Sequence, residues 1–278
     1  MTVDEVVRAV AARLETRGCP TPRVDAELLV GHVLGLTRSE VSIESRRVVA
    51  HAESERIESL TGRRERREPL AYVLGEWGFR RLVLAVDSRV LVPRPETEIV
   101  VERCLALLSG VESPRVLDVG TGSGAIALAI ADEHPGARVT AIDASADALE
   151  VARANRERTG LAVELVEHDL FSGLPDGPWD LVVSNPPYVT PGEIESLEPE
   201  VRDWEPRAAL VGEGATEAIA ASAQDALVPG GALALECADG NASRVADLLR
   251  ALDYTRVAVN RDLAGRDRVV EGVTTSAD

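Results

Sequence analysis

The sequence predicts an α/β protein: a doubly wound, mostly parallel sheet of seven strands, preceded by a small all-helical domain. Three features carry that expectation. Apolar residues recur at helical spacing through about the first 75 positions, then give way to short β-branched runs. From Arg115 onward those runs alternate with helical stretches, the rhythm of parallel strands joined by crossover helices. The last two runs stand too close for such a crossover, so they are expected to form an antiparallel hairpin.

The elements follow in order. Thr2 with Glu5 three residues later is a capping-box pattern, and Val3, Val6, Val7, Val10 and Leu14 recur behind it on one helical face. Thr21-Pro22 opens a second helix and Gly35 ends it. A third is expected over about 48–61 or a little beyond. Its end carries GRRERRE, residues 62–68, which reads first as a solvated helix terminus whose Arg side chains suit the dipole. The sharper reading of that segment is a contact patch for RNA or an acidic protein. Pro69 begins a short helix that Gly75 closes. Residues 79–100 read as a hairpin and linker leading into a helix at about 96–109. Strands are then expected at 115–119, 138–143, 162–167, 180–184, 231–237, 255–260 and 267–271. Helices are expected at 124–134, 145–159, 214–228 and 241–252. Three regions result: residues 1–76 helical, 77–95 hairpin and linker, and 96–278 the α/β domain.

Composition narrows the function. No apolar run approaches the ~18 residues of a membrane span. The N-terminus has early acids and no continuous apolar stretch, so it does not read as a signal peptide. Cys19, Cys104 and Cys237 are far apart and odd in number, which predicts reduced thiols in a cytoplasmic protein. The four histidines show no metal-site spacing, and no metal is expected. Net charge is −17, with no lysine. Residues 1–75 are balanced, 12 Arg against 12 acids, so the remainder holds the whole excess. Such an acidic body repels phosphate backbones and disfavours a nucleic-acid substrate.

VLDVGTGSGAIALAIA places Asp118 at a strand end, then Gly120, Gly122 and Gly124 at every second residue, then a helix. Glycines there allow a sharp turn and close approach of a ligand. The spacing is neither the G-x-G-x-x-G of dinucleotide binders nor a phosphate loop. Asp143 closes the next strand, where a carboxylate can accept both hydroxyls of a ribose. Asp169 ends the third, where a side chain can read an adenine amino group. Each alone is weak, since a strand-end Asp is often only an N-cap. Together they predict an adenosine site. S-adenosylmethionine suits it better than a dinucleotide: a sulfonium tolerates nearby carboxylates, whereas a diphosphate wants a helix N-terminus free of them.

The fourth strand ends in Ser184 and breaks on Asn185-Pro186-Pro187-Tyr188. Prolines lack N–H and lock φ, so the Pro186 carbonyl is rigidly aimed. The Asn185 side-chain oxygen is a second acceptor. Two fixed acceptors can hold the two hydrogens of a planar NH2 group, favour a pyramidal nitrogen and point its lone pair at a methyl. Catalysis is then mostly orientation. Tyr188 can pack over the flat substrate group. Asn185, Pro186 and Tyr188 are therefore the expected catalytic residues.

PLAYVLG, LVPRPETE, VLDVGTGSGAIA, SNPPYV, VRDWEPRAALVG and RDLAGRDRVVEG together resemble the peptide chain release factor N(5)-glutamine methyltransferase family, over nearly the whole chain. The resemblance implies a Rossmann-like class I methyltransferase domain. It implies methyl transfer from S-adenosylmethionine, leaving S-adenosylhomocysteine, to the Gln of the release factors' Gly-Gly-Gln motif, with the helical domain helping to bind the factor. It places donor contacts on Gly120, Thr121, Gly122, Ser123, Gly124, Asp143, Leu170 and Asn185. Substrate contacts fall on Asn185, Pro186, Pro187 and Tyr188, with Pro93, Arg94, Pro95, Glu96 and Glu98 walling the pocket. Glu68, Leu170 and Cys237-Ala238-Asp239 depart from residues usual in relatives. A monomer with no membrane partner is expected. Two other functions share the motifs: an adenine N6 methyltransferase acting on a flipped base, and a donor-binding regulator without turnover.

Overall fold

A computed structural model describes residues 1–275. Within them the chain forms two compact units. One is Met1–Glu76 together with Leu197–Trp204; the other is Trp77–Ser196 and the chain from Glu205 on.

The first unit is helical: α1 (Val3–Thr16), α2 (Pro22–Leu34), α3 (Arg38–Ile43), α4 (His51–Glu65) and α5 (Leu70–Leu74). The Thr2 capping box forms, with the Thr2 N–H donating to Glu5 Oε2 at 2.9 Å. Gly35, at φ 67°, ends α2 by donating to the Gly31 carbonyl. The α1 stripe Val3, Val7 and Leu14 is essentially unexposed and packs against Leu29 and Val30 of α2 in one apolar cluster. Helix α3 is absent from the sequence reading. It has a single buried residue, Val41, and so no periodicity, although Thr37 and Glu40 form its capping box. The third expected helix starts at His51 rather than 48 and runs on to Glu65.

Three of the four arginines in the Arg-rich segment are paired rather than solvated, and Arg66 is exposed. Arg64 is 3% exposed. Its Nε donates to Asp25 Oδ2 at 2.7 Å, and its Nη2 lies 2.8 Å from Glu200 Oε1. Arg67 donates from Nε to the same Glu200 at 2.7 Å, and Arg63 pairs with Glu68. These guanidinium groups are spent on the unit's own carboxylates, which removes the basis for a free basic patch.

The second unit opens with a hairpin, β1 (Glu76–Phe79) and β2 (Leu82–Ala85), and α6 (Thr97–Leu107). Then follow β3 (Arg115–Val119), α7 (Ala125–Glu133), β4 (Arg138–Asp143), α8 (Ala146–Thr159), β5 (Val163–Glu167) and β6 (Trp179–Ser184). After α9 (Pro199–Arg202), which lies in the first unit, come α10 (Arg207–Leu210), α11 (Ala215–Ala226), β7 (Leu227–Glu236), α12 (Ala242–Ala251), β8 (Thr255–Arg261) and β9 (Asp267–Val273). The seven-stranded sheet has the order β5-β4-β3-β6-β7-β9-β8. Pairs from β5 to β7 are parallel; β9 is antiparallel to both β7 and β8.

The central strands β3, β6 and β7 are buried on both faces, which is why they read as largely apolar runs. Successive residues alternate between two cores. Val116, Leu181, Val183 and Ala234 face one; Leu117, Val182, Leu233 and Leu235 face the other. Each fully buried Leu or Val is worth roughly 1.5–3 kcal/mol, so the central strands are a stiff support for the loops at their carboxyl ends. No helix among the described residues is long and apolar enough to cross a membrane.

Candidate active site

The carboxyl ends of β3, β4 and β6 open on a cavity of about 410 Å³. Strand order reverses between β3 and β6, and crevices at such a switch point are where open α/β sheets bind ligands. Gly120, Gly122, Asp143, Asp169, Leu170, Asn185 and Pro187 line it.

Gly120, Gly122 and Gly124 have φ of 73°, 56° and 82°. Any other residue would be strained there. The N–H groups of Gly120 and Thr121 both donate to the Ile142 carbonyl, which closes the turn against β4. Gly124 is also a packing position, since a Cβ would sit 3.2 Å from Leu128 Cδ1. Thr121 and Ser123 are buried and are not among the residues that line the cavity.

The three strand-end carboxylates separate in role. Asp143 Oδ2 accepts from the Gly122 N–H and Oδ1 from the Ser145 N–H, each at 2.9 Å. Each oxygen keeps a lone-pair site for the cavity. Asp118 is wholly buried; its Oδ2 takes the Thr121 hydroxyl at 2.6 Å and the Ala127 N–H at 3.2 Å. Burial pushes its carboxyl up to about 7. It therefore braces the glycine turn from beneath and is not a ligand contact. Asp169 caps the 3-10 turn Leu170–Ser172, with Oδ1 accepting from the Phe171 N–H.

Asn185 is half-buried at the cavity wall, and Pro186 behind it is buried. Among the described residues nothing donates to the Pro186 carbonyl. The Asn185 Nδ2 donates to Thr97 Oγ1 at 3.3 Å. Tyr188 does not line the cavity; burial pushes its phenol up to about 12, so it remains protonated at neutral pH. A second segment clamps this corner. The Val189 N–H donates to the Leu210 carbonyl at 2.9 Å, and Gly212 lies so close that a Cβ would meet Pro187 Cγ at 2.3 Å.

Arg94 and Glu96 are committed within the unit. Arg94 Nη2 donates to both oxygens of the buried Glu205, at 2.7 and 2.6 Å. Glu96 accepts from Arg266 at 2.9 Å. Burial raises the Glu205 carboxyl above its usual range, against the pull of Arg94. Sequence reasoning passed over Asn155, which is unexposed. Its amide donates to the Ala85 and Ser123 carbonyls and accepts from the Ala85 N–H. It ties the hairpin to the glycine turn, yet a single Asn in a helix gives no signal of that.

Strand order, glycine turn and post-β6 corner together define a class I S-adenosylmethionine-dependent methyltransferase. Residues 97–198 match the family described as the methyltransferase small domain, and residues 5–75 the PrmC N-terminal domain. The chain is 42% identical over 275 residues to the release factor glutamine methyltransferase of Deinococcus radiodurans, spanning 97% of this chain and 98% of that one. It is 40% identical to the enzyme of the same name from Chlorobaculum tepidum, spanning 96% and 95%. The chain belongs to the release factor glutamine methyltransferase family. The fold is shared with a Pyrococcus furiosus methyltransferase (TM-score 0.51, 21% identity, 69% of this chain and 88% of that). It is shared too with the T. thermophilus 16S rRNA N2 G1207 methyltransferase (TM-score 0.53, 18% identity, 72% and 49%).

Proposed function

We propose that the chain transfers a methyl group from S-adenosylmethionine to the side-chain amide nitrogen of the Gln in the Gly-Gly-Gln motif of peptide chain release factors. The observation that carries this reading is that Asp143 and Asn185 line one cavity, in a chain about 40% identical over nearly its full length to enzymes so named.

The residues present fit the donor. The cavity volume lies within the range of small-molecule sites. Asp143 offers lone pairs to two ribose hydroxyls, while Ile142 and Leu170 give apolar walls for an adenine. The Asp169 Oδ2 is the oxygen left for an adenine amino group. When bound, the donor supplies an electrophilic methyl on a sulfonium. Asn185 Oδ1 and the Pro186 carbonyl hold the two N–H bonds of the substrate amide and direct its lone pair at that methyl. With the donor in place, the carbon–sulfur bond would be the one to break, and the part of this chain is to hold the amide so that one of its N–H protons can pass to water. Tyr188 packs over the amide plane and serves as no base.

Residues 1–76 are assigned to recognition of the factor, 77–95 to hairpin and linker, and 96–278 to transfer. We assign the enzyme to the cytoplasm as a monomer, and its net charge of −17 supports a protein rather than a nucleic-acid substrate. Incubating enzyme, donor and full-length release factor should place one methyl on the motif Gln, read by mass spectrometry. Labelling that persists after that Gln is replaced by Ala overturns the reading.

Asp143→Ala is expected to weaken donor binding about 10–100-fold, since hydrogen bonds to a charged group are worth roughly 1.5–3 kcal/mol. Calorimetry with the donor checks it; unchanged affinity excludes Asp143 from the ribose role.

A further inference from the structure

The corner that faces the substrate nitrogen is backed by two polar side chains that the donor cavity does not use. Thr97 opens α6 and is 5% exposed; Glu236 ends β7 and is 1% exposed. The Thr97 hydroxyl donates to Glu236 Oε2 at 2.7 Å and accepts from Asn185 Nδ2 at 3.3 Å. Sheet register sets up this meeting: Ser184 of β6 pairs with Leu235 of β7, so Asn185, just past β6, comes level with Glu236, the last residue of β7 and still paired with Val269 of β9.

We propose that Thr97 and Glu236 are positioning residues of the transfer reaction, which decide which end of the Asn185 amide faces the substrate. This rests on the reading of Asn185 as an acceptor. The two ends of an amide have nearly the same shape and opposite hydrogen-bonding character. An ionised carboxylate only accepts, so it claims the single proton of the Thr97 hydroxyl. Thr97 then turns a lone pair toward Asn185, and only the NH2 end satisfies it. Oδ1 is thereby aimed away from Thr97. Reversed, Asn185 would present N–H to N–H and lose the substrate.

The relay has a polarity that one proton inverts. Burial pushes the Glu236 carboxyl up to about 7. Arg268 of β9 and Arg94 favour its charged form, and Glu96 disfavours it. Tyr188 also faces it, and Cys237 follows it on the chain; burial raises both, to about 12 and about 11, so neither competes for the proton near neutrality. Once protonated, Glu236 donates to Thr97, whose hydroxyl then donates to Asn185 Oδ1. The folded pKa is raised, so the productive polarity holds above pH 7 and is lost as pH falls through it.

Thr97→Val removes the hydroxyl and keeps the shape; Thr97→Ser keeps both functions. In wild-type protein the Asn185 side-chain NH2 resonances, identified by their loss in Asn185→Ala, should shift with a midpoint near pH 7. Thr97→Val should abolish that transition and Thr97→Ser should retain it. On a release factor, kcat of the wild type should decline as pH falls through about 7. Thr97→Val should lower kcat about 10–100-fold, the scale of a misplaced reacting group, with a flat profile and unchanged donor affinity, and Thr97→Ser should restore both. An Asn185 signal that titrates identically in Thr97→Val, or a Thr97→Val enzyme with the wild-type kcat and acid limb, overturns the proposal. If Thr97→Val does not fold, Glu236→Gln carries the same comparison: its Asn185 signal and kcat should be flat across neutral pH, and a surviving transition overturns it. Coupled resonances in an enzyme that methylates no release factor would support the relay and count against the substrate assignment alone.

Discussion

Replacing Asn185 with Ala is expected to lower kcat about 10²–10³-fold, the usual cost of losing one oriented polar contact at a reacting centre. Donor affinity should be largely kept. The substrate amide would retain only the Pro186 carbonyl as an acceptor, so its second N–H would be free to return to the amide plane and its lone pair to conjugation. Asn185 is half-buried at the cavity wall, and among the described residues its side chain donates only to Thr97. Its truncation therefore leaves the β6 strand and the glycine turn supported. An interaction made mainly in the transition state should lower kcat and kcat/KM together. Single-turnover methyl transfer, with calorimetry of the donor in parallel, separates chemistry from binding. A variant within about tenfold of wild-type kcat would remove Asn185 from the catalytic role, since that is well short of the loss named.

The central strands were legible because strands buried on both faces need apolar side chains at most positions. LVVS before Asn185 and VLDV before Gly120 could hardly be anything else. The strand-end carboxylates were legible as a set and not one by one. Asp118 and Asp143 both stand near strand ends, yet Asp118 is still inside β3, level with Ala141 and bonded to Thr121 and Ala127, while Asp143 ends β4 on the cavity wall. Pattern reading has no access to such bonds. Glu236 was open to the same strand-end argument, since it closes an apolar run. Thr97 was not: its partners lie 88 and 139 residues away, and nothing local marks it. The Arg-rich segment failed for that reason too. Seven residues with four arginines look solvated until Glu200, 133 positions beyond Arg67, is brought against them.

That buried network sets the second large effect: Arg64→Ala should destabilise the helical unit by about 3–5 kcal/mol, the cost of stranding a buried charge without its partner. Arg64 and Asp25 have side chains 4% and 2% exposed, and Glu200 15%. Removing the guanidinium strands the Asp25 carboxylate, which among the described residues keeps only the Thr21 hydroxyl, while Glu200 retains Arg67. For Glu200, burial alone would raise the carboxyl, yet its bonds to Arg67 and Arg64 outweigh that and hold it below its ordinary value of 4.5. Its contribution is therefore present above about pH 4.5 and lost as pH falls through the lower folded value. Domain stabilities are typically ~5–15 kcal/mol, so the loss is a large share. Hydrogen exchange locates it: amides of α2 and α4 should lose protection in Arg64→Ala while those of β3 and β6 keep theirs. Combining Arg64→Met with Asp25→Leu, which leaves the Arg67–Glu200 pair in place, should recover much of the loss, because apolar replacement of a buried ion pair is often neutral or stabilising. Unaltered α2 and α4 protection in the single variant would mean that the network is incidental to the unit's stability.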